Sequence, residues 1–486
     1  MTIRSVYQPA TLDCLYNAQS IAIYGISPNP ASFAAKTLNN LLGSGQGGHG
    51  GYGGRIHLIN AKYDRIGERP CHPSVAASPE KPDCVLIALP AEAVAPVAEE
   101  CAQAGVKSIV VFASGYAEMS QPERIARQHA LTALAGTSGM KILGPNCMGY
   151  MNFPSLTMAT FAAADLKLQK PPRPGIGIAS QSGALGYGLA QAVHRGAVIT
   201  HVLTTGNGCD VNVADSVAWL AQQSDCNAVV CVFEGLEDPQ HLAQAGRIAW
   251  ALDKPVIVHK MGGSQDGATA ARSHTGSTAG DSDEYRRICE AEGMIYVDEI
   301  EAVMETASFF AKAPRIPAGK GVAVLSPSGG LGVASSDAAT RHGVPLPQPP
   351  EAVAAKLATL IPEFGSRRNP ADVTAAVAGD LKKTAECFDA LAADPAYGAL
   401  VFPQVLYSAR TIDRYRMFSE VYERHGKPIL LPLVGGWIGG PGYVEAEESP
   451  HTSPFLSVDR CFATLAAWFR RAERRAATHG HARLKL

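Results

Sequence analysis

Short apolar runs alternate along most of the chain with longer Ala- and Leu-rich stretches of helical period. Gly- or Pro-containing turns close several of the apolar runs, as they do at the ends of strands. Strands that alternate with helices form βαβ units around parallel sheets, so the pattern predicts an α/β fold. In the first third of the chain the predicted strands are Ser20–Tyr24, Ile56–Asn60, Cys84–Leu89, Ser108–Phe112 and Lys141–Leu143.

Two proline-containing segments divide the chain into three predicted domains. Residues 170–174 (KPPRP) and 313–320 (APRIPAGK) interrupt the apolar pattern in the way that linkers do. The predicted domains are residues 1–165, 172–315 and 320–475, followed by a basic tail at residues 476–486.

A repeated pattern relates the second and third predicted domains. Residues 180–186 (SQSGALG) match residues 326–332 (SPSGGLG). Further on, Lys254-Pro255 stands before an apolar run and a Gly-Gly pair, and Lys427-Pro428 stands before another such run. Because both matches occur in the same order, we expect two related α/β domains.

Composition and charge exclude several classes of protein. The chain has 486 residues with 42 Lys and Arg against 44 Asp and Glu, and this near-neutral balance argues against a nucleic-acid-binding protein. No run of about 18 apolar residues, the length that spans a bilayer, occurs in it, and the N-terminal segment lacks the apolar core of a signal peptide. The 11 cysteines are scattered without a CxxC pair. These features predict reduced thiols, a cytoplasmic location and no metal site.

The first predicted strand leads into a turn at Gly25 and then a helix, which is a usual seat for a phosphate. An NAD-binding fold would have the pattern G-x-G-x-x-G here and an acidic residue after the second strand. This sequence has one of those glycines, and its second strand ends in Asn60-Ala61-Lys62. The lysine favours a nucleotide that carries an additional phosphate near the ribose. An ordinary tight turn with a surface lysine is the alternative.

A segment of small residues, 262–280 (GGSQDGATAARSHTGSTAG), follows the predicted strand Pro255–His259 and carries one histidine. Small residues let a large anion approach closely, and the hydroxyl and N–H groups beside His274 can bind phosphoryl oxygens. A neutral imidazole is a nucleophile that needs only orientation. The pattern predicts a loop with a nucleophilic His274; a surface loop with an incidental histidine is the alternative.

Two other features favour a nucleophilic His274. Residues 180–184 (SQSGA) lie at a predicted strand–turn–helix boundary, whose N–H groups form a second anion site in the same domain. Glu234 ends the predicted strand Val229–Phe233, at the sheet edge where α/β sites collect. A carboxylate there can accept the second imidazole N–H and stabilise its charged form. No histidine follows Gly435-Gly436 in the second copy, so the reactive group occurs once.

Nine segments, in order and spread over most of the chain, carry the motifs of one family. The two most specific are residues 144–152 (GPNCMGYMN) and 273–280 (SHTGSTAG). The others are residues 21–30, 59–63 (INAKY), 87–95 (IALPAEAVA), 110–118 (VVFASGYAE), 180–186, 206–215 and 233–235. With these segments the chain resembles the NDP-forming acyl-CoA synthetases, particularly the alpha subunit of ADP-forming acetyl-CoA synthetase. It resembles the alpha subunit of succinyl-CoA synthetase more distantly.

The resemblance implies an N-terminal Rossmann-like CoA-binding domain followed by two flavodoxin-like, succinyl-CoA-ligase-like domains. It also implies a reaction in which a small carboxylic acid, CoA and a nucleoside triphosphate give acyl-CoA, nucleoside diphosphate and phosphate. Acyl phosphate and phosphohistidine would be the intermediates. Fused members carry an ATP-grasp module, which is not recognisable after residue 320. We therefore expect a hetero-oligomer in which a separate ATP-grasp beta subunit binds ATP or GTP with Mg²⁺.

The resemblance also implies roles for individual residues. His274 matches the phosphorylated histidine, and Glu234 matches the glutamate that orients it. The phosphate would be bound by Ser182, Gly183, Ala184, Thr275 and Gly276. CoA would be bound by Gly25, Ser27, Asn29, Lys62, Pro90, Ala113, Ser114, Gly115, Asn146 and Cys147, the last two near the acyl group.

Two other functions compete with the ligase. A CoA-binding regulatory or scaffold protein without ligase activity would explain the absent nucleotide module. The complete set of His274, Glu234 and the SQSG motif disfavours it, because an abandoned site has no physical reason to keep these residues. An NAD-dependent oxidoreductase would need the missing glycines and the missing acidic residue.

Overall fold

The computed structural model describes residues 4–43, 51–162, 166, 169–275, 280–404 and 410–483. Of residues 268, 272–275, 410 and 479–483 it describes the backbone alone. The chain divides into two units. The first comprises Met1–Val193 and Val198–Val303, and the second comprises His194–Ala197 and Met304–Leu486.

A seven-stranded sheet opens the first unit, in the order β3-β4-β2-β1-β5-β6-β7. Its strands are β1 (Ser20–Tyr24), β2 (Arg55–Ile59), β3 (Arg65–Ile66), β4 (Arg69–His72), β5 (Cys84–Ile87), β6 (Ser108–Val111) and β7 (Lys141–Leu143). Every pair is parallel except β3 with β4. Apart from β3, this is the Rossmann order 3-2-1-4-5-6. All five strands predicted from the sequence are confirmed.

One short helix, α1 (Asp13–Tyr16), precedes β1, and three helices connect the strands: α2 (Phe33–Leu42), α3 (Ala91–Gln103) and α4 (Pro122–Ser138). Helix α2 begins where Ser32 Oγ accepts a hydrogen bond from the N–H of Ala35 at 3.2 Å. It ends at Gly43, whose φ of 67° lies in the left-handed region. Helical 3-10 turns add Pro9–Leu12, Ala117–Met119 and Gln191–Arg195.

A second seven-stranded sheet completes the first unit, in the order β14-β13-β12-β10-β11-β8-β9. Its strands are β8 (Gly149–Asn152), β9 (Thr157–Thr160), β10 (Gly175–Ser180), β11 (Ile199–Thr204), β12 (Cys226–Phe233), β13 (Val256–Lys260) and β14 (Ile295–Tyr296). Strands β8 and β9 form an antiparallel hairpin that pairs with β11, although they lie within residues 1–165. The three domain boundaries drawn from the sequence stay predictions.

The central strands of this sheet are buried, β10 at every residue and β12 at every residue except Asn227, as in parallel sheets that are covered on both faces. The helices that alternate with its strands are α5 (Gly183–Ala190), α6 (Val213–Gln222), α7 (Gln240–Ala251), α8 (Gln265–Thr275) and α9 (Ser282–Glu292). The next helix, α10 (Ala302–Lys312), begins at the end of the first unit and lies mostly in the second.

The second unit contains a five-stranded parallel sheet in the order β16-β15-β17-β18-β19. Its strands are β15 (Gly321–Ser326), β16 (Ala371–Asp372), β17 (Tyr397–Val401), β18 (Ile429–Pro432) and β19 (Thr452–Phe455). Its helices are α11 (Gly329–His342), α12 (Glu351–Leu360), α13 (Thr374–Ala378), α14 (Leu381–Ala392), α15 (Arg410–His425), α16 (Tyr443–Glu448) and α17 (Val458–Arg483). None of the helices in the described ranges combines the length and the apolar character that crossing a bilayer requires.

The predicted internal repeat is confirmed by topology. When strands β10 to β14 and strands β15 to β19 are numbered in chain order, both sets follow the flavodoxin-like order 2-1-3-4-5. Two local details recur as well. Ser180 Oγ donates to the carbonyl of Ser182 at 2.7 Å, and Ser326 Oγ donates to that of Ser328 at the same distance.

The second recurring detail is a lysine beside the start of the third strand of each copy, half-buried at Lys254 and buried at Lys427. Lys254 Nζ donates to the carbonyl of Gln223 at 3.0 Å, and Lys427 Nζ donates to that of Asp394. In each copy the same carbonyl also accepts from a main-chain N–H, that of Cys226 at 3.2 Å and that of Tyr397 at 3.3 Å, so the lysine is a second donor to the turn before the strand. These shared bonds belong to the fold and are unrelated to a reaction.

Buried polar contacts tie the N-terminal segment to the second sheet. Asp215, on α6, is completely buried, and its carboxylate accepts from Arg4 Nη2 at 2.6 Å and from the N–H of Tyr7 at 2.8 Å. It also accepts from the N–H of Asn212 at 2.9 Å, which completes a capping box at the start of α6. All eleven cysteines are free thiols.

We expect Asp215→Ala to lower the free energy of unfolding by about 2–3 kcal/mol, because the substitution leaves Arg4 and two N–H groups without their acceptor. Urea denaturation monitored by circular dichroism measures this change. The exposed Asp64 provides the control, and Asp64→Ala should change the unfolding free energy by less than about 0.5 kcal/mol. Equal effects of the two substitutions would contradict the role of Asp215.

Candidate functional site

The residues predicted to bind CoA lie along one edge of the first sheet. Strands β1, β2, β5, β6 and β7 are parallel and end at the same edge. The segments that follow them carry Gly25, Lys62, Pro90, Ala113 and Asn146 respectively. The strand order reverses between β1 and β5, and ligands of such sheets bind outside the carboxyl ends at this point.

The turn after β1 requires glycine. Gly25 has a φ of 92°, and a Cβ atom there would lie 2.7 Å from the carbonyl oxygen of Ala88. Its N–H donates to the carbonyl of Ile59 at 2.9 Å, so the turn is fixed against β2. Ser27 is half-buried, and the exposed Asn29 accepts from the N–H of Ala31 at 3.0 Å.

Asn60 connects this turn to the predicted phosphate-binding lysine. Its Nδ2 donates to the carbonyl of Ile26 at 2.7 Å, and its Oδ1 accepts from the N–H of Lys62 at 2.9 Å. The Lys62 side chain is exposed, as a contact with a phosphate requires. Sequence reasoning missed the role of Asn60, although the residue stands in the motif INAKY.

The remaining CoA-binding predictions fall on the segments after β5, β6 and β7. Pro90 is exposed and immediately precedes α3. After β6, Ala113 and Gly115 are half-buried and Ser114 is exposed. Asn146 has a φ of 55°, and its N–H donates to the carbonyl of Ala113 at 2.8 Å. The predicted residues after β6 and β7 are therefore hydrogen-bonded neighbours.

Cys147 differs from its neighbours because its side chain points into the core. The residue is 2% exposed, and Sγ lies 3.5 Å from the carbonyl oxygen of Val111. Burial raises the pKa of the Cys147 thiol to about 12, so the thiol stays protonated. Contact between Cys147 and a ligand is restricted to its backbone.

The start of α5 lies beside the segment after β7. Ser182 caps this helix, its Oγ accepting from the N–H of Leu185 at 3.4 Å. A Cβ atom on Gly183 would lie 2.5 Å from Cγ of Met148, so the helix start packs directly on that segment. Ala184 is exposed at the same helix start. The predicted phosphate and acyl regions are thus adjacent.

Glu234 follows β12 and is 6% exposed. Gln181 positions its backbone: Oε1 of Gln181 accepts from the N–H of Glu234 at 2.8 Å and from that of Gly235 at 3.2 Å. Because β10 and β12 are neighbours, Ser182 and Glu234 flank the point where the strand order of the second sheet reverses. The SQSG motif contained Gln181, but its function as an acceptor was not predicted.

Lys260 is a second residue that sequence reasoning missed. It ends β13 opposite Phe233, is 4% exposed and donates through Nζ to the carbonyl of Gly262 at 3.1 Å. Burial lowers the pKa of Lys260, while the charges of Asp281 and Glu234 act in the opposite direction. A cavity of about 480 Å³ opens beside Lys260, and its lining includes Arg286, Ser282 and Tyr296.

The prediction of a loop throughout residues 262–280 is wrong for residues 265–275, which form α8. Ser264 Oγ accepts from the N–H of Gly267 at 3.0 Å, which is a cap at the helix start. Ala, Gln and Arg in this stretch favour a helix more than its single internal glycine opposes one. The backbone of His274 and Thr275 lies in the last turn of α8. Their side chains, and all of Gly276, lie outside the described residues.

Within the described ranges, no three side chains of His, Cys, Asp or Glu are grouped closely enough to bind a metal ion.

Two family models match the chain. Residues 19–152 match a CoA binding domain, and residues 173–310 match a succinyl-CoA ligase like flavodoxin domain. The alpha subunit of acetate–CoA ligase (ADP-forming) I from Pyrococcus furiosus is 31% identical over 90% of this chain and 92% of its own length. The chain belongs to the ADP-forming acyl-CoA synthetases, in their alpha-subunit form. The family and the fold class predicted from the sequence are confirmed.

Other members of the family extend the comparison. A trans-feruloyl-CoA synthase from an unknown prokaryotic organism is 30% identical over 95% of this chain, which spans 63% of the length of that protein. Acetyl-coenzyme A synthetase 1 of Ca. Korarchaeum cryptofilum, solved in complex with phosphate and ADP, superposes with a TM-score of 0.82 at 27% identity. That superposition covers 96% of this chain and 97% of the solved chain.

We expect Gly25→Ala to weaken CoA binding by at least about tenfold, because the new Cβ displaces the turn after β1, where the strand order reverses. Isothermal titration of the purified chain with CoA measures the affinity. The matched control is Gly67→Ala, since Gly67 also has a positive φ, 58°, but nothing lies within 4 Å of its Cβ position. A loss of affinity in both variants would show general backbone strain and no specific role for the turn.

Proposed function

We propose that this chain is the alpha-type subunit of an NDP-forming acyl-CoA synthetase. The enzyme would convert a carboxylic acid, CoA and a nucleoside triphosphate into acyl-CoA, a nucleoside diphosphate and phosphate. The observation that carries the proposal is the contact between Gly183 and Met148, which joins the helix start of α5 to the segment after β7. One face of the first unit can then bind both the phosphoryl group and the acyl group.

His274 is proposed to carry the phosphoryl group. In the direction of acyl-CoA formation, an oxygen of the acid attacks the phosphorus, the N–P bond breaks and acyl phosphate forms. The sulfur of CoA then attacks the acyl carbon, the thiol proton is lost and inorganic phosphate leaves. A separate transfer from the nucleoside triphosphate to His274 completes the cycle.

The described residues support both halves of this scheme. The N–H groups at the start of α5, at Ser182, Gly183 and Ala184, present about half a positive charge to a phosphoryl group. Glu234 would accept an imidazole N–H of His274 and stabilise the charged ring. On the first sheet, Asn60 joins the turn at Gly25 to the segment that carries Lys62, and these two segments suit the phosphates of CoA.

A separate ATP-grasp beta subunit is proposed to supply the nucleotide site, with ATP or GTP and Mg²⁺. Its support comes from relatives named as alpha subunits, two of which are matched over 92% and 91% of their own lengths. Hetero-oligomer formation follows from this proposal. The relatives are named for acetate, 4-hydroxybutyrate and ferulate, so the acid is left here as a class.

We expect His274→Ala to abolish base-stable, acid-labile phosphate on the chain when it is purified with its partner and incubated with γ-labelled ATP. CoA affinity should stay unchanged, because the CoA site lies on the other sheet. His129→Ala, on the exposed face of α4, is the control and should label normally. Label on the His274→Ala chain would refute the nucleophile. A wild-type chain that binds CoA without ever labelling would indicate a regulatory CoA-binding protein.

We expect Lys62→Ala to weaken CoA binding about five- to tenfold and to leave dephospho-CoA binding nearly unchanged, because the lysine meets the additional phosphate. Titration of both ligands at two salt concentrations measures the difference, which should shrink at high salt. Lys81→Ala is the control, since this exposed lysine precedes β5 at the opposite edge of the same sheet. Equal losses for both ligands would remove the phosphate contact.

A further inference from the structure

Four polar side chains join the edges of the two sheets in the first unit, and we call them the carboxamide network: Glu118, Gln128, Asn146 and Asn207. Asn207 Nδ2 donates to Glu118 Oε2 at 2.6 Å and to Gln128 Oε1 at 2.9 Å. Asn146 Nδ2 donates to Asn207 Oδ1 at 3.2 Å. Three of these four residues were not predicted to have any function.

The backbone fixes the acceptors at one end of the carboxamide network. The carboxylate of Glu118 accepts from the N–H groups of Gly115 and Tyr116, and Gln128 Oε1 accepts from the N–H of Ala117 at 3.4 Å. Burial alone would raise the pKa of Glu118, but the hydrogen bonds from Asn207 and these N–H groups outweigh burial and hold the pKa below its ordinary value. Glu118 is therefore an ionised, acceptor-only group at neutral pH.

A fixed acceptor determines the direction of every bond that follows. Asn207 must turn its NH₂ group toward Glu118 and Gln128, so its oxygen faces Asn146. Asn146 must then turn its own NH₂ group toward Asn207. The carboxamide oxygen of Asn146 is left as an acceptor, and no partner for it occurs among the residues that the structure describes.

The backbone also fixes where the carboxamide network stands. A Cβ atom on Gly206 would lie 2.4 Å from the carbonyl oxygens of Pro145 and Asn146, so the two segments cross at the closest approach that glycine permits. The N–H of Asn207 donates to the carbonyl of Pro145 at 3.0 Å. The orientation of Asn146 is therefore set before any ligand binds.

The position along the sheet indicates which part of CoA meets Asn146. Lys62 follows β2 and Asn146 follows β7, which is four strand spacings away, or about 19 Å. With the phosphates of CoA at Lys62, the thiol-bearing pantetheine arm extends toward Asn146. That arm contains amide N–H groups, which are donors that match the carboxamide oxygen of Asn146.

We propose that Glu118 and Asn207 are positioning residues that fix the oxygen of the Asn146 carboxamide as the acceptor for an amide N–H of the pantetheine arm. The inference rests on the proposed function, because it assumes that CoA occupies this edge. It extends that function by assigning roles to residues that touch no ligand themselves.

Glu118→Gln tests the direction of the bonds with little change in volume. A glutamine cannot accept from Gly115, Tyr116 and Asn207 without turning its own NH₂ group against one of these donors. We expect the affinity for CoA to fall about five- to tenfold, and the affinity for dephospho-CoA to fall by the same factor. Glu123→Gln, an exposed glutamate on α4, is the matched control and should bind both ligands normally.

A reciprocal exchange distinguishes positioning from structural support. In the double variant Glu118→Gln with Asn207→Asp, the new glutamine donates to the new aspartate, which still accepts from Asn146. Gln128 turns its NH₂ group toward the aspartate and gives up the 3.4 Å bond from Ala117. We expect CoA affinity to return to within about twofold of the wild type. A double variant that folds with the wild-type melting temperature but binds no better than Glu118→Gln would overturn the inference.

Asn207→Ala provides a second route if Glu118→Gln does not fold, because it removes the bond to Asn146 and leaves the carboxylate in place. Its expected loss of CoA affinity is again about fivefold. Unchanged CoA affinity in either single variant would overturn the inference and leave the proposed function intact. A wild-type chain that binds neither CoA nor dephospho-CoA would instead refute the CoA site itself.

Discussion

A short backbone ladder between the two sheets of the first unit is the constraint on which the rest of the site depends. Three main-chain N–H groups donate across it: Val211 to Ile142 at 3.1 Å, Cys209 to Gly144 at 3.0 Å and Asn207 to Pro145 at 3.0 Å. Leu143 and Val211 pair there as a parallel bridge. The ladder joins β7 and the segment after it to the second sheet, and it thereby brings the edge proposed for CoA beside the helix start proposed for phosphate.

The internal repeat separates residues that build the fold from residues that serve the site. Both flavodoxin-like copies keep the serine that ends the first strand and the lysine that binds carbonyls beside the third. The copies differ at the carboxyl edge, where Gln181 and Lys260 of the first copy correspond to Pro327 and Leu433 of the second. A fold that forms with proline and leucine at these positions does not need the polar pair. The acceptor for Glu234 and the buried cation beside it are therefore specific to the copy that carries His274.

Sequence patterns predicted what depends on local periodicity, namely five of the seven strands of the first sheet and the internal repeat, and the family resemblance gave the order of the domain types. They did not predict that the hairpin β8–β9 pairs with β11. The two strands of a hairpin pair with each other through local sequence, but the strand that pairs with the hairpin is selected by long-range packing. The helix α8 was missed because its glycine and hydroxyl residues outnumber the apolar ones. For the site, motifs marked Gly25, Lys62 and Glu234. Glu118 and Asn207 were missed, since each acquires its role only through the other, across 89 positions of sequence.

The use of N–H donors around Glu118 follows from the charge of what this edge is proposed to bind. CoA and an acyl phosphate are anions, so a carboxylate exposed at the edge would repel them. A nearby cation could neutralise the carboxylate, but it would also attract phosphate to the wrong place. Arg127, the candidate by position, is bound instead to Glu92 and to the carbonyl of Gly115. The N–H donors around Glu118 offset its negative charge. Because Asn207 must donate to Glu118, the carboxamide dipole of Asn146 is held in one orientation. The edge can then hold an ionised glutamate and offer a neutral acceptor to its ligand.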